Sequence, residues 1–175
     1  MIPVVGELVY FYTMISEATI DSCIEELARG NEDWLAHLAE DQPVLSSYLI
    51  AEDHEAFSEN ETQYLYYLAV MCWMSFDRTY PDLAEVDAEA LAFREETNWN
   101  RVDSLRPTNL KNIIDRILTD YKEPEMLYYI EDALQIDDED PEHPVTKSGQ
   151  IPLFITILSI IDVLIEASEN PAALD

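Results

Sequence analysis

An acid-rich loop, three histidines set among carboxylates and two tyrosine clusters are the residues of this chain whose types and spacing invite chemistry. The stretch IDDEDPEHPVTK, residues 136–147, brings Asp137, Asp138, Glu139, Asp140 and Glu142 together with two prolines. Closely spaced carboxylates could form a calcium loop. An EF-hand, however, takes Asp at position 1, oxygen ligands at 3 and 5, Gly at 6 and Glu at 12. Counted from Asp137, positions 5, 6 and 12 are Pro141, Glu142 and Ser148. The segment therefore reads as an exposed, poorly packed and mobile acidic loop, not a dedicated cation site.

The histidines do not supply a metal site either. Asp33, His37 and Asp41 fall at i, i+4, i+8 on one expected helix face, and His54 lies among Glu52, Asp53 and Glu55. A di-metal carboxylate bundle needs paired Glu-x-x-His motifs. The residues three before His37, His54 and His143 are Trp34, Ala51 and Asp140, so the pattern is missing. Surface histidines are the expectation.

Nucleophilic catalysis lacks its signatures, with no G-x-S-x-G and no glycine-rich phosphate loop. Cys23 and Cys72 sit in apolar contexts, which predicts buried thiols over a disulfide. The Tyr64-Leu65-Tyr66-Tyr67 and Tyr128-Tyr129 clusters could line an aromatic pocket. The commoner arrangement, and the one expected, is core packing with hydroxyls toward solvent. The chain reads as a non-enzyme without cofactor or metal.

These residues must be carried by helices. Only three glycines occur, Leu, Ala and Glu are abundant, and no long alternating run suggests a sheet. Apolar spacing predicts helices over Val4–Ser16, Thr19–Arg29, Glu32–Glu40 capped by Asn31, and Pro43–Phe57. Ser58 followed by Glu61 is a capping box opening a largely apolar helix over Glu59–Thr79. Further helices are predicted over Asp87–Asn98, from a Thr108 cap through Tyr121, over Pro124–Gln135, and from Ser148 or Gly149 to Ala167. No repeat at solenoid period is present. The expectation is a single all-α domain over residues 1–175, an irregular compact bundle of about eight helices or stacked helical pairs.

The run Ile151–Ile165 is too short and, with Asp162, too polar for a comfortable membrane span, and suits a core helix. The N-terminal MIPVVGELVYFY has neither a basic n-region nor an A-x-A-like site, so a cytoplasmic protein is expected.

Charge is then the strongest functional lead. The chain carries 37 acids against 9 Lys and Arg, a formal net of −28 on 175 residues. Residues 1–93 hold −17, residues 94–122 hold +1 and residues 123–175 hold −12. Such a field argues for a basic partner and against direct binding to nucleic acid or anionic membrane. Surface scaling gives about 310 Å² per net charge, against about 110 Å² per phosphate on duplex DNA. Imitation of a duplex therefore needs the charge concentrated on one face.

Three readings follow. The first is an immunity-type inhibitor that caps a basic, nucleic-acid-acting protein such as a nuclease. The second is a DNA mimic filling the groove of a DNA-binding protein. The third is an acidic surface that serves only solubility or salt adaptation. The first is preferred, with contacts expected at Glu25, Glu26, Glu32, Asp33, Glu40, Asp41, Glu52, Asp53 and Glu55, and at Asp137, Asp138, Glu139, Asp140 and Glu142. The central arginines are expected to pair with flanking carboxylates and relieve self-repulsion.

Overall fold

Ser16, Asp33, Ser58, Asp87 and Asn109 each turn a side-chain oxygen onto a backbone N–H three residues ahead, and each opens a helix. The computed structural model describes residues 14–51, 56–105 and 109–170. Among these the chain is all-α, with eight helices and no strand. They are α1 (Glu17–Ala28), α2 (Trp34–Asp41), α3 (Pro43–Leu49) and α4 (Glu59–Thr79), then α5 (Ala88–Ser104), α6 (Leu110–Leu118), α7 (Pro124–Ala133) and α8 (Gln150–Glu169).

Several expected boundaries shift for local reasons. Residues 14–16 are not helical, because Ser16 serves as the N-cap of α1, and the rest of the helix expected over Val4–Ser16 lies outside the described residues. Asp33, not Asn31, caps α2, accepting from the Ala36 N–H at 3.1 Å. α3 stops at Leu49, well short of Phe57, with Ile50 as its C-cap. α5 runs on to Ser104, and Asn109, not Thr108, caps α6. Thr108 itself lies outside the described residues. Tyr121 falls beyond the end of α6 at Leu118, although its side chain still turns inward. The glycine at position 30 takes φ +62, a left-handed turn that ends α1 and suits a residue without a Cβ.

α8 is the apolar centre. Its buried face includes Phe154, Ile157, Leu158 and Ile161, and it packs against both α4 and α5. By length and composition alone it could cross a membrane, but most of its apolar surface is buried within the protein. α4 meets α8 on one side and α1 and α2 on others, which explains why Leu65, Leu68, Cys72 and Phe76 are fully enclosed. α7 packs on α6 and α1. One contiguous core draws on all eight helices.

Cys23 and Cys72 are free and buried, as expected, and burial pushes both thiols above their ordinary range. The near-neutral centre pairs with the acidic flanks in part. Arg94 meets Glu166, Lys122 meets Glu169, and outside that segment Arg78 meets Glu26. Lys111 pairs within its own helix, with Asp115 at 3.3 Å.

Candidate functional site

A groove lined by aromatic, apolar and acidic residues runs along one side of α4. Tyr66, Tyr67 and Val70 follow helical spacing along that side and form one wall of this groove of about 360 Å³. Leu27 at the end of α1 and Trp34 and Leu35 at the start of α2 form the other wall. Glu32 and Asp33 stand at its rim. Leu35 is 45 % exposed, one of six large apolar side chains left open among the described residues, with Ile50 at 71 % and Phe93 at 63 % outside the groove. The Trp34 indole N–H is buried and has no acceptor among the described residues.

The aromatic surface continues beyond the groove. Tyr67 stacks on Tyr64, with ring centroids 6.0 Å apart and planes 6° from parallel. Tyr64 in turn meets the edge of His143 at 6.5 Å, and His143 belongs to the acidic loop. Tyr64 donates to the Ala133 carbonyl at 2.8 Å, which ties this face to the end of α7. Burial raises the Tyr64 phenol to about 12, so it remains a neutral donor. The row therefore runs from Trp34 to His143, with Glu32 and Asp33 at one end and the loop carboxylates at the other.

Glu61 positions the loop. It is 2 % exposed, and its Oε2 accepts from the Ser58 N–H at 2.9 Å to complete the capping box. Its Oε1 accepts from the Thr146 N–H at 3.0 Å and from the Thr146 hydroxyl at 2.5 Å. Burial alone would raise this carboxyl, but the bonds from Thr146 and Ser58 outweigh it and hold the pKa below its usual range. Val145 beside it is buried. The loop is thus exposed at Asp137–Asp140 and Glu142, as expected, but its C-terminal end is anchored, which corrects the reading of a poorly packed segment. Within it, Asp137 accepts from the Glu139 N–H and Asp140 from the Glu142 N–H, each at 2.9 Å, so two carboxylates shape their own turns.

The other expected contact residues are dispersed. Glu25, Glu40 and Asp41 are exposed on α1 and at the far end of α2, while Glu26 is half-buried and engaged by Arg78. Glu52, Asp53 and Glu55 lie outside the described residues. Among the described residues no group of three or more His, Cys, Asp or Glu is arranged to hold a metal ion. His37 lies 3.2 Å from Glu32 through Nε2 and contacts the Trp34 ring at 5.2 Å. Trp34 and Glu61 were not legible as site residues. Trp34 carried no motif, and the capping-box signal at Glu61 said nothing of Thr146, 85 residues away.

Elsewhere, buried carboxylates serve the fold. Asp162 accepts from Tyr121 at 2.8 Å and from Asn98 at 2.9 Å, and Glu123 accepts from the Ile15 N–H at 2.9 Å and from Tyr80. Burial raises both carboxyls despite those bonds. Asp77, although exposed, is raised as well, by partial desolvation and by the nearby Asp41. A raised folded pKa means the native state holds more protons than the unfolded chain in the window above the ordinary carboxylate range. Stability from these groups is full below that window and is lost as pH rises through it. Self-repulsion of the −28 charge acts in the same direction. Glu61 has the opposite sign, and its contribution is lost only as pH falls through its lowered pKa. Urea midpoints at constant ionic strength are therefore expected to rise from pH 7 to about pH 5 and to fall in stronger acid. A midpoint lower at pH 5 than at pH 7 would contradict this assignment. Added salt at pH 7 is expected to raise the midpoint by screening the same repulsion.

Comparison of the chain with protein-family models, with curated proteins and with solved structures yields no match.

Proposed function

We propose that this protein is a non-catalytic, cytoplasmic inhibitor of the immunity type, which caps a basic, nucleic-acid-acting protein through the face built on α4. The observation that carries this reading is the aromatic row from Trp34 to His143 with carboxylates at both ends. Aromatic anchors inside a charged rim are the usual anatomy of a tight protein interface, where rings supply buried area and rim charges supply steering. The two free, buried thiols are compatible with a reducing compartment.

Charge spacing weighs against duplex mimicry. The accessible surface of 10667 Å² spreads the net charge at about 380 Å² per unit, more than three times the roughly 110 Å² per phosphate of a duplex. The acids of the candidate face are moreover split by an apolar strip, whereas a phosphate backbone is continuous.

The immobilised full chain, exposed to extract from its source cell at low salt and eluted with a salt step, is expected to release a basic protein. One equivalent of the chain is then expected to suppress that protein's binding or cleavage of nucleic acid. Recovery of no basic protein, or of one whose activity on nucleic acid is unaffected, would overturn the reading.

A further inference from the structure

We propose that the groove between α2 and α4 receives one extended, arginine-bearing segment of the basic partner. The guanidinium lies against Glu32 and Asp33 and its stem runs along the aromatic wall. This inference rests on the inhibitor reading above and names the side chain that reading leaves open.

Size comes first. At about 360 Å³ the groove is near the lower end of the roughly 300–1,000 Å³ typical of small-ligand pockets, enough for one long side chain but not for a helix. Its chemistry is two-part. Leu27, Val70 and the rings of Trp34, Tyr66 and Tyr67 suit a methylene stem and a flat cation, while Glu32 and Asp33 supply negative charge at the mouth. Asp33 spends Oδ1 on the α2 cap and Glu32 places Oε2 beside His37, which leaves Oδ2 and Oε1 for an incoming donor. A planar guanidinium stacks and forks where a lysine ammonium can only approach as a point charge.

His37 already illustrates the geometry. Its ring lies 5.2 Å from that of Trp34, tilted by 48°, while its Nε2 lies 3.2 Å from Glu32, so one nitrogen heterocycle reaches indole and carboxylate together. A second copy of this chain, itself carrying −28, is repelled by the same rim.

Tryptophan fluorescence of the full chain tests the assignment. Acetyl-Gly-Arg-Gly-amide, its lysine and norleucine analogues and spermidine are titrated at low salt, with Trp34→Phe to isolate the groove signal. Glu32→Gln with Asp33→Asn removes the rim charge while keeping an N-cap side chain. The arginine peptide is expected to give a Trp34-dependent change and to bind about tenfold more tightly than the norleucine peptide, an advantage the double variant loses. Equal affinity for norleucine, lysine or spermidine, or unchanged binding by the double variant, would overturn the proposal. Protamine is titrated in parallel as a generic basic protein. If protamine binds with steep salt dependence while the arginine peptide does not bind, the groove assignment falls and the inhibitor reading stands. If neither binds, both fall.

Discussion

Replacing Gly149 with alanine is expected to cost about 1–3 kcal/mol of folding stability, the range for forcing extra atoms into a packed site. The backbone is not the reason, since Gly149 has φ −89, open to any residue. The reason is the Glu61 carboxylate, which lies where the new Cβ would go. Glu61 cannot move aside cheaply, because Ser58 and both Thr146 donors hold it. The other described glycine is a useful contrast. At Gly30 nothing lies within 4 Å of an added Cβ, and only the left-handed φ of +62 is unfavourable, so alanine there costs about 1–2 kcal/mol through the backbone alone. Urea denaturation of Gly149→Ala, Glu61→Ala and the double variant separates these causes. The glycine substitution is expected to cost markedly less once Glu61 is truncated, and strict additivity would show that the carboxylate is not the obstacle.

The largest functional effect is expected from removing charge at both ends of the aromatic row. Glu32→Gln and Asp33→Asn, combined with Asn or Gln at Asp137, Asp138, Glu139, Asp140 and Glu142, are expected to slow association with the basic partner by about 10- to 100-fold at low salt. Asparagine can still cap α2 at position 33 and still close the turns at positions 137 and 140, so the shape is retained while the field is lost. Stopped-flow association across an ionic-strength series provides the check. The difference between parent and variant is expected to shrink as salt rises, because steering by exposed charges is screened within about 10 Å at 0.1 M. Equal rates at low salt would remove the acids from the interface.

The helices were largely legible, because each rests on signals a few residues apart. Ser58 and Glu61 set the start of α4, and the Ile113, Ile114 and Ile117 stripe set α6. Errors fell where competing caps lie close together. Asn31 and Asp33 both offer a capping oxygen, and only the observed backbone shows that Asp33 takes the role. α5 was read short because Arg101, Asp103 and Ser104 are polar, yet the helix has α8 as a packing partner, and Asn98 reaches Ser159 at 3.1 Å. The site was less legible. The acids of the rim and loop could be named from composition, and the tyrosines were weighed as a pocket wall. What brings them to one face is the tertiary contact of His143 with Tyr64 and of Thr146 with Glu61, which no local pattern encodes. Trp34 was invisible for the same reason, since its partners Tyr66, Tyr67 and Val70 lie more than thirty residues away.

The direct test of the α4 face is amide hydrogen exchange of the full chain with and without the basic protein recovered by low-salt capture. Protection is expected to concentrate at residues 32–36, at the N-terminal half of α4 and across residues 137–146, with little change on α5 and α6. Protection centred on α5 or α6, or spread evenly over the surface, would contradict it.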